Sequence, residues 1–344
     1  MRLIDCPPAQ TPGINISAPV KDYLRQLRLG DVQCHEHVAI VPLRDSGVEE
    51  PPLFIGLAHA MEARTLRVTE ISETGSVPQL LVFNDGHQPV LIIDGEELIG
   101  AKQNRVLDTS VLLKEWSQTM VPVSCTEPRR WNYTSAQFAA SNTVLERRIR
   151  SRKSRSVHRS LKSTSTPRSD QREVWQGIAG LYHKAKFMSP TLALHDLVRA
   201  QVQRLKDYLA NLPCLEGQVG LLVVINGRVA GLDVVSRPEV YAGLHNKLVR
   251  SYVLDTLLDQ PTPPRPATEA HALAEAFIAA VETSREEIFP SVGYGRDHRY
   301  LASNLAGSAL VHENRLIHAA FLSVDDASPT DSLSPRRNDG KGHP

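Results

Sequence analysis

The sequence predicts an α+β fold: a mixed, largely antiparallel β-sheet layer, with a helical layer inserted between N-terminal strands and C-terminal β-hairpins. Three observations predict it. Short apolar runs punctuated by Gly, Asp and Asn fill residues 28–125. Helical periodicity replaces them from residue 135 to about 258. Two hairpin patterns then interrupt and follow the helices.

Residues 1–20, rich in Pro and small polar groups, read as an N-terminal arm. A short helical stretch at 21–27 precedes strand-length runs at 38–42, 66–71, 77–84, 89–93, 106–113 and 120–125. Asn84-Asp85-Gly86 and Asp94-Gly95 supply turn chemistry between them. The unbroken Val90-Leu91-Ile92-Ile93 predicts a strand covered on both faces. Within the helical region Val174, Ile178 and Leu181 share one helical spacing, as do Leu194, Leu197, Val198, Val202, Leu205 and Leu209. Ser169-Asp170 fits a helix cap, and Ser189-Pro190 a cap with proline at the first helical position. A hairpin at 219–235 turns at Asn226-Gly227, the residue pair that best accepts two positive φ angles. A Pro-rich connector at 260–266 leads to a helix over 269–287 and a second hairpin at 307–322, turning at His312-Glu313-Asn314. The two hairpins resemble each other, a pattern that internal duplication produces. The tail from Ala327, rich in Ser, Pro, Asp and Arg, is expected to be disordered. The organisation is therefore an arm at 1–20, a single domain at 21–326 and a tail at 327–344.

Lys plus Arg number 39 and Asp plus Glu 38, a net charge of +1 that excludes a globally basic nucleic-acid binder. Cys6, Cys34, Cys125 and Cys214 have no CxxC spacing, which argues against a disulfide framework and a zinc ribbon. Neither a secretory leader pattern nor a membrane-length apolar run is present, so a cytoplasmic protein with reduced thiols is expected. The P-loop, dinucleotide, zincin and nucleophile-elbow motifs are all absent from the sequence.

The densest polar run is Asp94-Gly-Glu-Glu-Leu-Ile-Gly-Ala-Lys-Gln-Asn-Arg105. Asp94, Lys102, Gln103, Asn104 and Arg105 suit the hydroxyls and phosphates of a polar ligand, and Glu97 or Glu96 suits general acid/base work. Strand alternation places Glu96 and Glu97 on opposite sides. The alternative is a solvated turn. A second run offers Ser124, Cys125, Glu127, Arg130 and Trp131. Cys125 is either a nucleophile with a lowered thiol pKa or a buried structural cysteine. Arg130 and Trp131 suit a phosphate and a flat ring, or else packing. Asp170, Gln171 and Trp175 repeat that combination of polar cluster and indole. His35 and His37 are expected on one strand face, but spacing fixes no third metal ligand, and no metal or other cofactor is assigned. Nine Lys/Arg and no carboxylate lie between Arg147 and Arg168. A solvated basic helix or loop is the plainer reading, and a polyanion surface the other.

The order Val68-Thr-Glu70, Gly75-Ser-Val77-Pro, Asp94-Gly-Glu-Glu-Leu98, Gly100-Ala-Lys-Gln-Asn-Arg105, Ser124-Cys125, Arg130-Trp131 and Ser169-Asp-Gln171 resembles one family. Gly217-Gln-Val-Gly220, Asn226-Gly227, Gly307-Ser-Ala-Leu310 and His318 extend the likeness over about 33–321. It is the domain family named for association with ADP-ribosylglycohydrolases and the rhodanese-phosphatase superfamily. The resemblance implies handling of ADP-ribose or a related NAD-derived compound, in partnership with ADP-ribosylglycohydrolase-type enzymes. It brings no catalytic mechanism with it.

Two functions follow as expectations. In the first, a hydrolase places Lys102, Arg105 and Arg130 on a diphosphate, Trp131 or Trp175 on a base, and Glu97 or Glu96 at the ribose. In the second, a non-catalytic module senses the same nucleotide and works through partners. An RNA-associated role for 147–168 ranks below both. The runs 94–105, 124–131 and 169–175 are expected to converge on one cleft lined by Glu97, Lys102, Arg105, Arg130 and Asp170.

Overall fold

The computed structural model describes residues 18–47, 50–72, 75, 78–258 and 269–324. The expected arm before Ala18, the connector at 260–266 and the tail from Ala327 lie outside these residues.

A large antiparallel sheet dominates the fold. Its strands run in the order Arg28–Leu29, Val38–Arg44, Gln218–Ile225, Arg228–Val235, Arg315–Ser323, Leu305–His312, Arg296–Ala302 and Arg285–Pro290, with Gln33–His35 also paired to Val38–Arg44. The two predicted hairpins lie side by side in it, joined where Gly231–Val235 pairs with 318–322. Each carries a register shift near its turn, between Val223 and Val224 in one and between Leu310 and Val311 in the other. Asn226 and Gly227 both take positive φ, and so do Glu313 and Asn314, as type I′ turns require.

Alternation along the strands explains why this sheet is covered on both sides. In Gln218–Ile225, Leu221, Val223 and Ile225 pack toward the long helix Pro238–Leu258. Val219, Leu222 and Val224 face helices Pro19–Gln26 and Ala270–Thr283. Helices therefore flank both faces: Pro238–Leu258, from the helical region inserted in the chain, covers one, and Pro19–Gln26 with Ala270–Thr283, from outside it, cover the other.

The second β-unit contains the polar runs. Six strands are ordered Phe138–Val144, Glu96–Gly100, Arg105–Leu107, Ser117–Cys125, Gln79–Asn84 and Leu66–Thr69. A three-stranded sheet, Val111–Leu113, Val90–Ile92 and Ile55–Gly56, encloses a core with it, including Val68, Val82, Ile92, Leu107 and Val123. The outer face meets helices Arg147–Thr164, Gln171–Ala185 and Leu194–Ala200 through Val106, Ile149, Val174, Ile178 and Leu197.

Several expectations change in detail. The run expected as one strand at 106–113 is divided between two sheets by a turn at Asp108–Ser110. Residues 138–144, expected to be helical, form a strand instead, because pairing with Glu96–Gly100 overrides the weak local preference of Phe-Ala-Ala-Ser-Asn-Thr-Val. Charged residues disguise Arg285–Pro290 and Arg296–Ala302, which complete the large sheet.

The basic segment is a helix of which Arg147, Arg150 and Lys153 form a buried side. Arg150 donates to both oxygens of Asp233 at 2.6 and 3.1 Å. Lys153 pairs with Asp94 and donates to the carbonyls of Leu107 and Asp108 at 2.9 and 3.0 Å. On the outer side Arg159 meets Glu173 and Lys162 meets Glu287. The segment has no carboxylate of its own because its counter-charges come from elsewhere in the fold. A freely solvated helix therefore misdescribes it.

Candidate functional site

Strand pairing sets the site. Arg105 lies opposite Cys125 and Leu98, at the end of the six-stranded sheet. Its guanidinium is fully buried, with Nη1 donating to Gln103 Oε1 at 2.7 Å. Nε and Nη2 make no hydrogen bond. Glu70, just past Leu66–Thr69, stands 3.9 Å from Nη2, and neither of its carboxylate oxygens has a donor. Next to Arg105 lies a cluster of aromatic and cationic side chains, the mouth of the candidate site. Lys102 Nζ is 5.3 Å from the Trp131 ring centre and 5.1 Å from that of Tyr133, while the Arg105 guanidinium is 5.7 Å from Trp131. Both rings are 47% exposed.

The turn that presents Lys102 is held under strain. Gly100 has φ +122, and a Cβ there would fall 2.5 Å from Ser135 Oγ and 2.9 Å from the Gln137 carbonyl. Ala101 follows at φ +40, a conformation costly for a side-chain-bearing residue. Arg130 secures it. Nη1 donates to the Ala101 and Asn132 carbonyls at 2.6 and 3.1 Å and to Thr134 Oγ1 at 3.2 Å. Nη2 reaches the Gly100 carbonyl, Asn104 Oδ1 and Glu127 Oε2 at 3.3, 3.1 and 2.5 Å. Glu127 also accepts from the Asn104 amide, and its carbonyl accepts from Gln103. Arg130, Glu127, Gln103 and Asn104, expected on a ligand, thus brace the turn that carries Lys102 and Arg105.

The third run meets the second one. Gln171 clamps the Cys125 backbone, accepting from its amide at 2.7 Å and donating to its carbonyl at 2.9 Å. Ser124 donates to Asp108 at 2.6 Å and bonds Ser169. Trp175 lies half-buried beside Cys125. Burial pushes the Cys125 thiol up, and Arg105 and Trp175 offset only part of that. A buried, protonated thiol is a poor nucleophile. Asp170 is an exposed helix cap, accepting from the Arg172 amide.

The acidic pair divides as alternation requires. Glu97, fully buried, accepts from Thr126 Oγ1 and Ser141 Oγ at 3.0 and 2.9 Å, with His195 Nδ1 3.7 Å away. Glu96 faces away and binds Lys247 at 2.7 Å. Asp94 is buried against Lys153. The three runs converge, but of the five expected lining residues only Lys102 and Arg105 belong to the mouth. His35 and His37 do not share a strand face: Glu36, at φ +50, turns the chain between them, and His35 bonds Asp207. No group of three metal-type side chains occurs among the described residues, and none of their helices is long and apolar enough to cross a membrane.

Residues 26–322 match the family model ARPP-1, the ARG and Rhodanese-Phosphatase-superfamily-associated Protein domain. The chain belongs to this family. Its name records an association with ADP-ribosylglycohydrolases and the rhodanese-phosphatase superfamily. No curated protein and no solved structure matches the chain.

Within this ARPP-1 domain, Glu70, Tyr133 and His195 are the side chains that reasoning along the sequence passed over. Glu70 lies in the motif Val68-Thr-Glu70, and only the folded chain brings its carboxylate within 3.9 Å of Arg105. His195 carries a testable signature. The Glu97 carboxylate 3.7 Å away raises its pKa against the opposing effect of burial. A raised histidine stabilises the fold below its unfolded pKa of about 6.5, and the benefit fades as pH rises through the folded value. Melting temperatures of wild type and His195→Gln, followed from about pH 5 to 8.5, are expected to diverge at the acidic end and converge at the alkaline end. Parallel curves would show that the two side chains are not coupled.

Proposed function

We propose that the domain binds and processes ADP-ribose or a related NAD-derived ribosyl compound at the Glu70–Arg105 mouth. The observation that carries this reading is a fully buried guanidinium with two nitrogens lacking hydrogen bonds, next to an exposed pair of aromatic rings and a lysine. Buried polar groups are normally hydrogen-bonded, so a guanidinium left this way is suited to an incoming anion. Lys102 and Arg105 hold the diphosphate, Trp131 stacks on the base, and Glu70 is the carboxylate placed to act at the ribose. This role passes to Glu70 because Glu97 is enclosed by Thr126 and Ser141, and Glu96 by Lys247.

One observation favours the sensing module instead. The Cys125 thiol is raised by burial and Glu70 is already paired with Arg105, which leaves the mouth without a free nucleophile. Thermal-shift titration with ADP-ribose, NAD and ribose 5-phosphate, followed by product analysis, separates the two. A native-state ligand raises the melting temperature. Lys102→Ala and Trp131→Ala are each expected to weaken binding about tenfold. Glu70→Gln that binds without turnover supports processing, and binding without turnover in wild type supports sensing. If none of the three compounds shifts the melting temperature, both readings fail.

A further inference from the structure

We propose a second ligand site, separate from the mouth: a pocket that takes a small, uncharged, largely apolar molecule carrying one hydrogen-bonding group. The pocket, of about 210 Å³, opens between helix Leu57–Glu62 and the long helix Pro238–Leu258. Phe54, Leu57, Val240 and Leu244 supply apolar walls. An apolar cavity of roughly 150 Å³ admits benzene, so this volume suits a single substituted ring or a short branched chain.

Charge decides the class of ligand. Glu96 and Lys247 line the pocket as a buried pair 2.7 Å apart, and Arg237 and Glu239 form a second pair 3.4 Å apart. The lysine and the arginine of the lining therefore each already have an anion, and the remaining ionisable lining residue, His59, is exposed. A carboxylate ligand would be brought toward Glu96, and an ammonium ligand toward Lys247, each losing hydration without a free counter-charge. A hydroxyl or carbonyl meets no such penalty. Lys247 gives one N–H to Glu96 Oε1 and has two more donors on the same nitrogen, so an uncharged oxygen can accept from it while the hydrocarbon body fills the apolar part. The proposal rests on these residues alone and does not depend on the Glu70–Arg105 reading.

The test uses calorimetric titration of the full chain with benzyl alcohol, benzoate and benzylamine, which share a ring and differ in charge. Saturable binding of benzyl alcohol is expected, with the two ions weaker by about tenfold or more. Gly243 lies on the pocket wall, and a Cβ there would meet no atom within 4 Å. A Cβ at 243 therefore fits without a clash, and Gly243→Leu adds bulk to the pocket wall. It is expected to keep or raise the melting temperature, because leucine favours helix over glycine, and to abolish benzyl alcohol binding. The proposal is overturned if an ion binds as tightly as the alcohol, if no probe binds, or if folded Gly243→Leu binds unchanged.

Discussion

Arg150→Met is expected to destabilise the fold by about 3–5 kcal/mol, because it leaves the Asp233 carboxylate charged and buried without its partner. Asp233 lies on the central strand Arg228–Val235, and both it and Arg150 are fully buried. Burial works to raise the carboxyl, yet Arg150 and His318 outweigh it and hold the group below the usual carboxylate range. Tyr252 adds a hydrogen bond at 2.7 Å. The sign of the pH effect follows. A depressed carboxyl contributes stability above its unfolded pKa of about 3.9, and that contribution is lost as pH falls toward the folded value. The paired double variant Arg150→Met/Asp233→Leu removes both charges and is expected to recover most of the loss. Denaturant unfolding measures all three. A single variant within about 0.5 kcal/mol of wild type would mean that the pair holds nothing together.

That pair also shows where sequence reasoning stops. The nine cations of 147–168 were visible, but the carboxylates that neutralise the inner ones lie 83 residues away at Asp233 and 59 away at Asp94. No local pattern encodes such a partner. The Asn226-Gly227 hairpin was legible because two adjacent residues carry its geometry. Arg285–Pro290 and Arg296–Ala302 were not, since their charged sequences, half-exposed in the first and buried at Asp297, His298 and Arg299 in the second, gain strand character only from neighbours in the large sheet.

The candidate site was legible in the same partial way. Strand alternation correctly separated Glu96 from Glu97, and Lys102, Arg105 and Trp131 were all marked. The bracing role of Arg130 was hidden, because two of its acceptors are carbonyls exposed by the left-handed turn at Gly100 and Ala101, which no residue type encodes. Residue type alone makes Arg130 and Arg105 equivalent. Geometry separates them, since one reaches six acceptors and the other leaves two nitrogens without any.

Arg105→Met is expected to abolish the stabilisation of the domain by ADP-ribose and also to weaken the fold without ligand. Two effects meet at this residue. Charge-assisted hydrogen bonds contribute about 1.5–3 kcal/mol each, so losing both nitrogens that lack a hydrogen bond in the protein lowers affinity by roughly a hundredfold or more. Removing the guanidinium also leaves Glu70 buried without its cation, a cost of about 3–5 kcal/mol. Glu70→Gln relieves that second cost alone. In the double variant Glu70→Gln/Arg105→Met, intrinsic stability is therefore expected to return most of the way while the ADP-ribose-dependent rise in melting temperature stays absent. A purely structural pair predicts otherwise: restoring stability would restore the ligand response as well. Measuring melting temperature with and without ADP-ribose for wild type, both single variants and the double variant separates the two outcomes, because the fold and the ligand report on different atoms of the same guanidinium.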